Sequence, residues 1–276
     1  MTLRTIIITG CSSGIGAYCA HQLKQDGWRV VASARKPEDI EALRDAGIDT
    51  FYLDYTQEDS IDAFFDAALE ACGGRIDALF NNGAYSQAGA VEDLPIEALR
   101  AQFDANFFGW HVLTQKVLPI MRQQKSGRIV QCSSILGLVA MRWRGAYNAS
   151  KFALEGLSRA LALELANTNI KVSLIEPGPI ETKIATNALP HILKHIDIEN
   201  SHYKDDYDLQ LKRIRQGGSK GGGKLGPEAV YKVLDHALNA KNPKPHYLVT
   251  TPAKFGALMQ RILPAKLWYK FLAKQN

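Results

Sequence analysis

LRTIIITGCSSGIG, residues Leu3 to Gly16, decides how the rest of the chain is read. Its first half is apolar and β-branched and stops at Gly10, as a buried strand does. From Gly14 the apolar residues fall at Ile15, Cys19, Ala20 and Leu23, which is helical spacing, and Gly27 ends the run. Between strand and helix stand Gly10, Gly14 and Gly16. Glycines there permit a tight turn, close approach of backbone to a phosphate, and close packing of the helix. The free N–H groups and positive dipole end of the helix favour the same anion. A strand–turn–helix setting is what separates a dinucleotide turn from a merely structural glycine turn. Gly10, Ser12, Ser13, Gly14 and Ile15 are therefore expected to line a cofactor site.

The alternation continues outward from that turn. Strands are expected at Trp28–Ala34, Thr50–Leu53, Ala78–Asn81, Arg128–Cys132 and Lys171–Ile175. Helices are expected at Pro37–Ala46, Ile61–Cys72, Pro95–Met121 (one or two) and Ala146–Ala166. Six strands alternating with helices between residues 3 and 175 imply an α/β chain with one doubly wound parallel sheet, covered on both faces. Residues 180–225 carry no clean period. A helix resumes at Pro227, with proline at its first position, and Tyr247–Val249 is a last short strand. No linker divides 1–252, which reads as one catalytic domain, with 253–276 as its basic amphipathic tail.

With 276 residues, 46% of them apolar and 22% charged, the chain has the composition of a folded globular protein. No apolar run reaches the ~20 residues of a membrane helix. The N-terminal run has no cleavage-site pattern, so cytoplasmic residence is the expectation. The four cysteines are scattered without metal spacing. The net charge of +5 lies wholly in the tail, where Lys254, Arg261, Lys266, Lys270 and Lys274 face no acid. The rest of the chain sums to zero, which argues against nucleic acid as a partner.

Two further stretches carry chemistry. The end of the second strand reads Ser33, Ala34, Arg35, Lys36, with no acid before Glu38. An acid at this place holds the ribose hydroxyl of NAD, and a cation accommodates the 2′-phosphate of NADP. Arg35 is expected to contact that phosphate, with Ser12 as a second ligand, which selects NADP(H). Further along, Tyr147 and Lys151 stand four apart in a helical run and share one face. A positive charge beside a phenol favours ionisation, so the pair is a candidate acid/base.

Taken in order, these residues resemble the short-chain dehydrogenase/reductase family over about residues 3 to 182. The family's T-G-x-x-x-G-x-G resembles Thr9–Gly16, its acid after the third strand Asp54, and its helix asparagine Asn106. Its serine corresponds to Ser134, its Y-x-x-x-K to Tyr147 and Lys151, and its proline-glycine segment to Pro177–Thr182. CSSGIG, NFFG, SKFALEG and SLIEPGPIET are most similar to the retinol, hydroxysteroid and aldehyde reductase branch. The resemblance implies a Rossmann-type sheet and hydride transfer between NADP(H) and the carbonyl or alcohol of a hydrophobic small molecule. Tyr147 would move the proton, Lys151 would hold the ribose and lower the Tyr147 pKa, Ser134 would orient the substrate oxygen, and Asn106 would position a water. Asp54, Asn81, Pro177, Gly178, Ile180 and Thr182 complete the expected cofactor contacts. One departure is Asn81-Asn82-Gly83-Ala84, where the family reads N-N-A-G; a positive φ at Ala84 would strain an alanine. A 3-oxoacyl-thioester reductase and a non-catalytic NADPH-binding regulator are the alternatives.

Other motifs are weaker. GSKGGGK at Gly218–Lys224 fits a phosphate loop but lacks the Ser or Thr after its lysine and a strand before it, so it reads as a flexible loop. His191 and His195 have no third ligand, and no metal is expected. The tail places Phe255, Leu258, Met259, Ile262 and Leu263 at helical spacing, then Leu267, Trp268, Phe271 and Leu272 beyond Pro264. Its apolar face is expected to meet its own domain, a neighbouring subunit of a homo-oligomer, or an anionic membrane surface.

Overall fold

The computed structural model describes residues 3–215 and 223–274. The flexible loop expected at Gly218–Lys224 therefore lies largely outside the described residues. β1 (Thr5–Ile8) runs through the glycine turn into α1 (Gly14–Gln25), then β2 (Arg29–Ala34), α2 (Pro37–Asp45), β3 (Asp49–Tyr52), α3 (Glu58–Ala71) and β4 (Ala78–Asn81). The second half holds α4 (Ile96–Phe103), α5 (Gly109–Gln124), β5 (Gly127–Cys132), α6 (Gly145–Glu164) and β6 (Ile170–Pro177). These elements match the expected alternation to within a few residues at their ends.

All seven strands, including the last, β7 (His246–Val249), join one parallel sheet in the order β3-β2-β1-β4-β5-β6-β7. Strand order reverses between β1 and β4, and ligands of open α/β sheets bind at that switch point. The period-2 geometry of β1 sorts its residues between two cores. Ile6 and Ile8 pack with Cys19 and Leu23 of α1 and with Leu234 and Leu238 from α9, the helix Glu228–Asn239. Ile7 faces the other way, with Phe64 of α3 and Leu113 and Val117 of α5.

The expected one or two helices after Pro95 are α4 and α5, joined by a π-helical turn at Asp104–Phe108. Two expectations need correction. Pro227 precedes α9 rather than opening it. And residues 180–225, expected to lack regular structure, contain α7 (Ile184–His195) and α8 (Lys204–Arg215). A third small core explains α8. Tyr207, Leu211 and Ile214, at helical spacing, are buried with Ile192 and Ile196 against Ala88 and Ala90. The Tyr207 hydroxyl donates to Asp93 at 2.9 Å and accepts from the Ala90 amide at 2.8 Å. In α7, Pro190 removes only the bond its nitrogen would give Thr186. The chain closes with α10 (Thr251–Ile262) and α11 (Ala265–Leu272), split at Pro264 as its ring requires.

The glycine turn is a point of close backbone approach. Gly10 has φ +70°, and a Cβ there would lie 2.3 Å from the Cα of Gly83. Gly10→Ala is expected to lower stability by about 1–3 kcal/mol or more, since backbone must move to admit the methyl. Urea unfolding would measure it; an unchanged midpoint would contradict the close approach.

Candidate active site

α6 carries both members of the Tyr147–Lys151 pair on its buried face. Asn148, one residue on, fixes the approach to this helix. Its side-chain amide donates to the carbonyls of Leu136 at 2.7 Å and Val139 at 2.9 Å. Ser134 sits at the end of β5 in extended backbone, where its hydroxyl accepts from the Leu136 amide at 3.1 Å and donates weakly to the Pro177 carbonyl at 3.5 Å.

These residues border one cavity of about 670 Å³ at the C-terminal edge of the sheet. At its floor and one end lie the glycine turn and strand ends: Gly10, Ser12, Ser13, Gly14, Ile15, then Arg35 and Asp54. Pro177, Gly178, Ile180 and Thr182 border it from beyond β6. Ser134, Tyr147 and Lys151 stand at its middle, and Leu136, Val139, Ala188, Phe255 and Trp268 help make its other end apolar. The donor set fits a dinucleotide. Gly14 at φ +60° leaves a hollow where a Cβ would meet Thr182 at 3.1 Å, and α1 aims its N-terminus at it.

Two expected residues do not border the cavity. Asn81 is fully buried, accepting from the Tyr55 hydroxyl at 3.0 Å and donating to Thr114 at 3.1 Å. Its neighbours Asn82, Gly83 and Ala84 line the cavity instead. Asn106 is fully buried too. Its side chain donates to the Tyr85 carbonyl at 2.9 Å and accepts from the Tyr85 amide at 3.2 Å. Its side chain is thus turned to the Tyr85 backbone rather than into the cavity. Ala84 has no positive φ, so the shifted glycine brings no strain.

Several residues went unremarked in the sequence. Asn82 braces the glycine turn by donating to the Thr9 carbonyl at 3.0 Å and the Gly10 carbonyl at 3.3 Å. Ser33 accepts from the Gly10 amide at 3.1 Å. Trp110 donates to the Gly83 carbonyl at 2.9 Å, and its ring lies 4.2 Å from the Lys151 ammonium. Only the second asparagine of the N-N-G-A segment hinted at this; nothing in the sequence marks Trp110.

Burial governs the charges here. Lys151 is 1% exposed and donates to the Cys132 carbonyl at 2.8 Å. Desolvation brings its pKa down to about 8, against the upward pull of Cys132 and Glu155. The Tyr147 phenol is raised, first by burial and then by Cys132, while Ser134 and Arg144 pull the other way. The net effect is opposite to the lowering expected from Lys151, and it keeps the phenol protonated at neutral pH. Burial pushes the Cys132 thiol up to about 11, against the downward pull of Lys151, which disfavours a thiolate there. The His191 ring stacks on Tyr85 at 4.2 Å. Among the described residues, Glu155, Glu176 and His246 come close enough to share an ion. All three are already paired, Glu155 with Arg159 at 2.8 Å and Glu176 with His246 at 2.5 Å.

The family profile described as short chain dehydrogenase matches residues 4–192. The chain belongs to the short-chain dehydrogenase/reductase family. It is 37% identical over 269 residues to the uncharacterized oxidoreductase YbbO of Escherichia coli strain K12, covering 98% of this chain and 94% of that one. It is also 37% identical over 224 residues to human retinol dehydrogenase 8, covering 76% and 71%. Among solved structures, a variant of actinorhodin polyketide ketoreductase with NADPH aligns with TM-score 0.72 at 28% identity, covering 89% and 95%. A short-chain dehydrogenase/reductase from Burkholderia phymatum in complex with NAD aligns with TM-score 0.76 at 26% identity, covering 93% and 92%. The protein is thus an oxidoreductase of this family, whose fold binds nicotinamide dinucleotides.

Lys151 carries its proton below about pH 8 and loses it above. Because kcat/KM reports groups of the free enzyme, carbonyl reduction is expected to lose kcat/KM as pH rises through about 8. A profile flat across that value would show that the Lys151 charge is not needed.

Proposed function

We propose that the protein is an NADP(H)-dependent reductase of hydrophobic aldehydes or ketones, also able to oxidise the matching alcohols. The observation that carries this reading is one cavity bordered by Ser134, Tyr147 and Lys151, with Arg35 toward one end and an apolar wall at the other. Arg35 favours NADP(H), because the strand end it occupies offers no acid to a ribose hydroxyl, and the nearby Lys36 is paired with Glu38 at 3.7 Å.

A bound nicotinamide supplies the hydride. The Tyr147 phenol, held protonated by burial, donates its proton to the oxygen of the reduced carbonyl. The proton of the Ser134 hydroxyl makes only a weak 3.5 Å bond to the Pro177 carbonyl and turns to the same oxygen, stabilising charge as it develops. The Lys151 ammonium spends one N–H on Cys132 and keeps two for a ribose. Asn106 would position the water that returns protons toward Lys151. Gly10, Ser12, Ser13, Gly14, Ile15 and Asp54 hold the dinucleotide, with Pro177, Gly178, Ile180 and Thr182 closing over it.

The same reading takes residues 1–252 as one catalytic unit with 253–276 as its tail, cytoplasmic, assembled as a homo-oligomer, and in peripheral contact with membrane through the tail. NADPH consumption against aliphatic aldehydes, retinal, steroid ketones and acyl thioesters tests it. Turnover of thioesters alone would favour the 3-oxoacyl reductase, and NADPH binding without any turnover a regulator. Tyr147→Phe is expected to cut carbonyl reduction by about 10²-fold or more while NADPH still binds. Near-normal turnover in that variant would remove the proposed acid. Arg35→Asp is expected to move preference from NADPH toward NADH in kcat/KM; equal turnover of both cofactors by the unaltered protein would defeat the NADP(H) assignment.

A further inference from the structure

α10 and α11 have an inner and an outer side. Inward, Ala253, Gly256 and Ala257 are buried, Gly256 beside Ile135 and Val139, and Trp268 is the one residue of α11 that is buried. Outward, Leu258, Ile262 and Leu267 keep 53%, 60% and 57% of their surface exposed, although no polar function requires them. Phe255 and Phe271 belong to both sides. They border the substrate cavity, yet remain 49% and 41% exposed. The apolar rim of the cavity and the apolar outer face are therefore one continuous surface.

The charges on that surface have one sign. In α10, Leu258 stands three or four residues from Lys254, Phe255, Arg261 and Ile262, so these share one helix face. In and just beyond α11, Lys266, Lys270 and Lys274 form a row beside the row of Leu267 and Phe271. All five cations are exposed, and none forms an ion pair with a described residue. Apolar rows flanked by lysines are the pattern of a helix lying in a lipid interface, its lysine stems reaching up to anionic headgroups. A second copy of the chain is a poorer occupant, since it would oppose five cations with five more.

We propose that α10 and α11 form a docking surface for an anionic lipid bilayer, and that the substrate cavity opens at it. Lipophilic substrate then passes between bilayer and cavity without crossing water. The docking stands on the two helices alone; the passage rests on reading the cavity as a hydrophobic carbonyl site.

The test uses the full chain with vesicles of phosphatidylcholine, with and without phosphatidylserine. Co-sedimentation is expected to be about tenfold greater with phosphatidylserine at low salt, and to weaken at high salt. Lys266→Glu with Lys270→Glu should abolish that difference, and Leu258→Ser with Ile262→Ser should weaken binding to all vesicles. None of these four side chains borders the cavity, so turnover of a short water-soluble aldehyde should stay unchanged. Turnover of a long-chain aldehyde carried in the vesicles should fall about fivefold or more. Equal partitioning to both vesicles, or unaltered partitioning of the charge variant, would overturn the docking surface. So would a concentration-dependent dimer that Leu258→Ser with Ile262→Ser dissolves, because a second copy would then cover the face. Lost partitioning with unchanged turnover of vesicle-borne aldehyde would overturn the passage. Intact partitioning with no carbonyl reduced in any form would overturn the reductase reading and leave the docking surface standing.

Discussion

The structure depends on the approach of Gly10 to Gly83, where β1 and β4 end side by side. No side chain fits between them. The contact is at the switch point of the sheet, so it opens the crevice and sets its floor. It also ties the glycine turn to α6. The Gly83 carbonyl holds the Trp110 indole, the Trp110 ring carries the Lys151 ammonium, and Lys151 reaches the Cys132 carbonyl beside Ser134. A few backbone atoms thus connect the dinucleotide turn to the residue pair on α6.

The second constraint is charge in a dry place. A buried lysine is destabilising unless something replaces its water. Here an aromatic face and a carbonyl replace part of it, and the remaining cost appears as a lowered pKa. The same burial holds the phenol of Tyr147 protonated. Deeper along α6, Glu155 meets a second buried acid, Glu176, and each has its own partner, Arg159 and His246. That arrangement couples α6 to β6 and β7 behind the pair.

Much of this was legible before any coordinates. The glycine turn, the strand–helix alternation and the four-residue spacing of Tyr147 and Lys151 are local patterns, and local patterns survive into sequence. The helices between residues 184 and 215 were less legible. Tyr207, Leu211 and Ile214 keep a helical period, but acids and bases crowd the positions between them and hide it. Asn81 and Asn106 were placed by motif at the cavity, whereas their side chains are spent on Tyr55, Thr114 and Tyr85. A motif names a position; which way its side chain turns depends on partners far away in the chain.

The sequence by itself determined the strand–helix alternation up to residue 175, the glycine turn, the four-residue spacing of Tyr147 and Lys151, and the basic apolar tail. Those features arise from backbone preferences and spacing among near neighbours. Only the tertiary structure decided that Trp110 supports Lys151, that burial raises Tyr147 rather than lowering it, and that Asn82 braces the turn. It also decided that Phe255 and Phe271 of the tail border the same cavity as Tyr147 and Lys151. Each of these depends on desolvation or on contact between segments remote in the chain, and no local pattern records either.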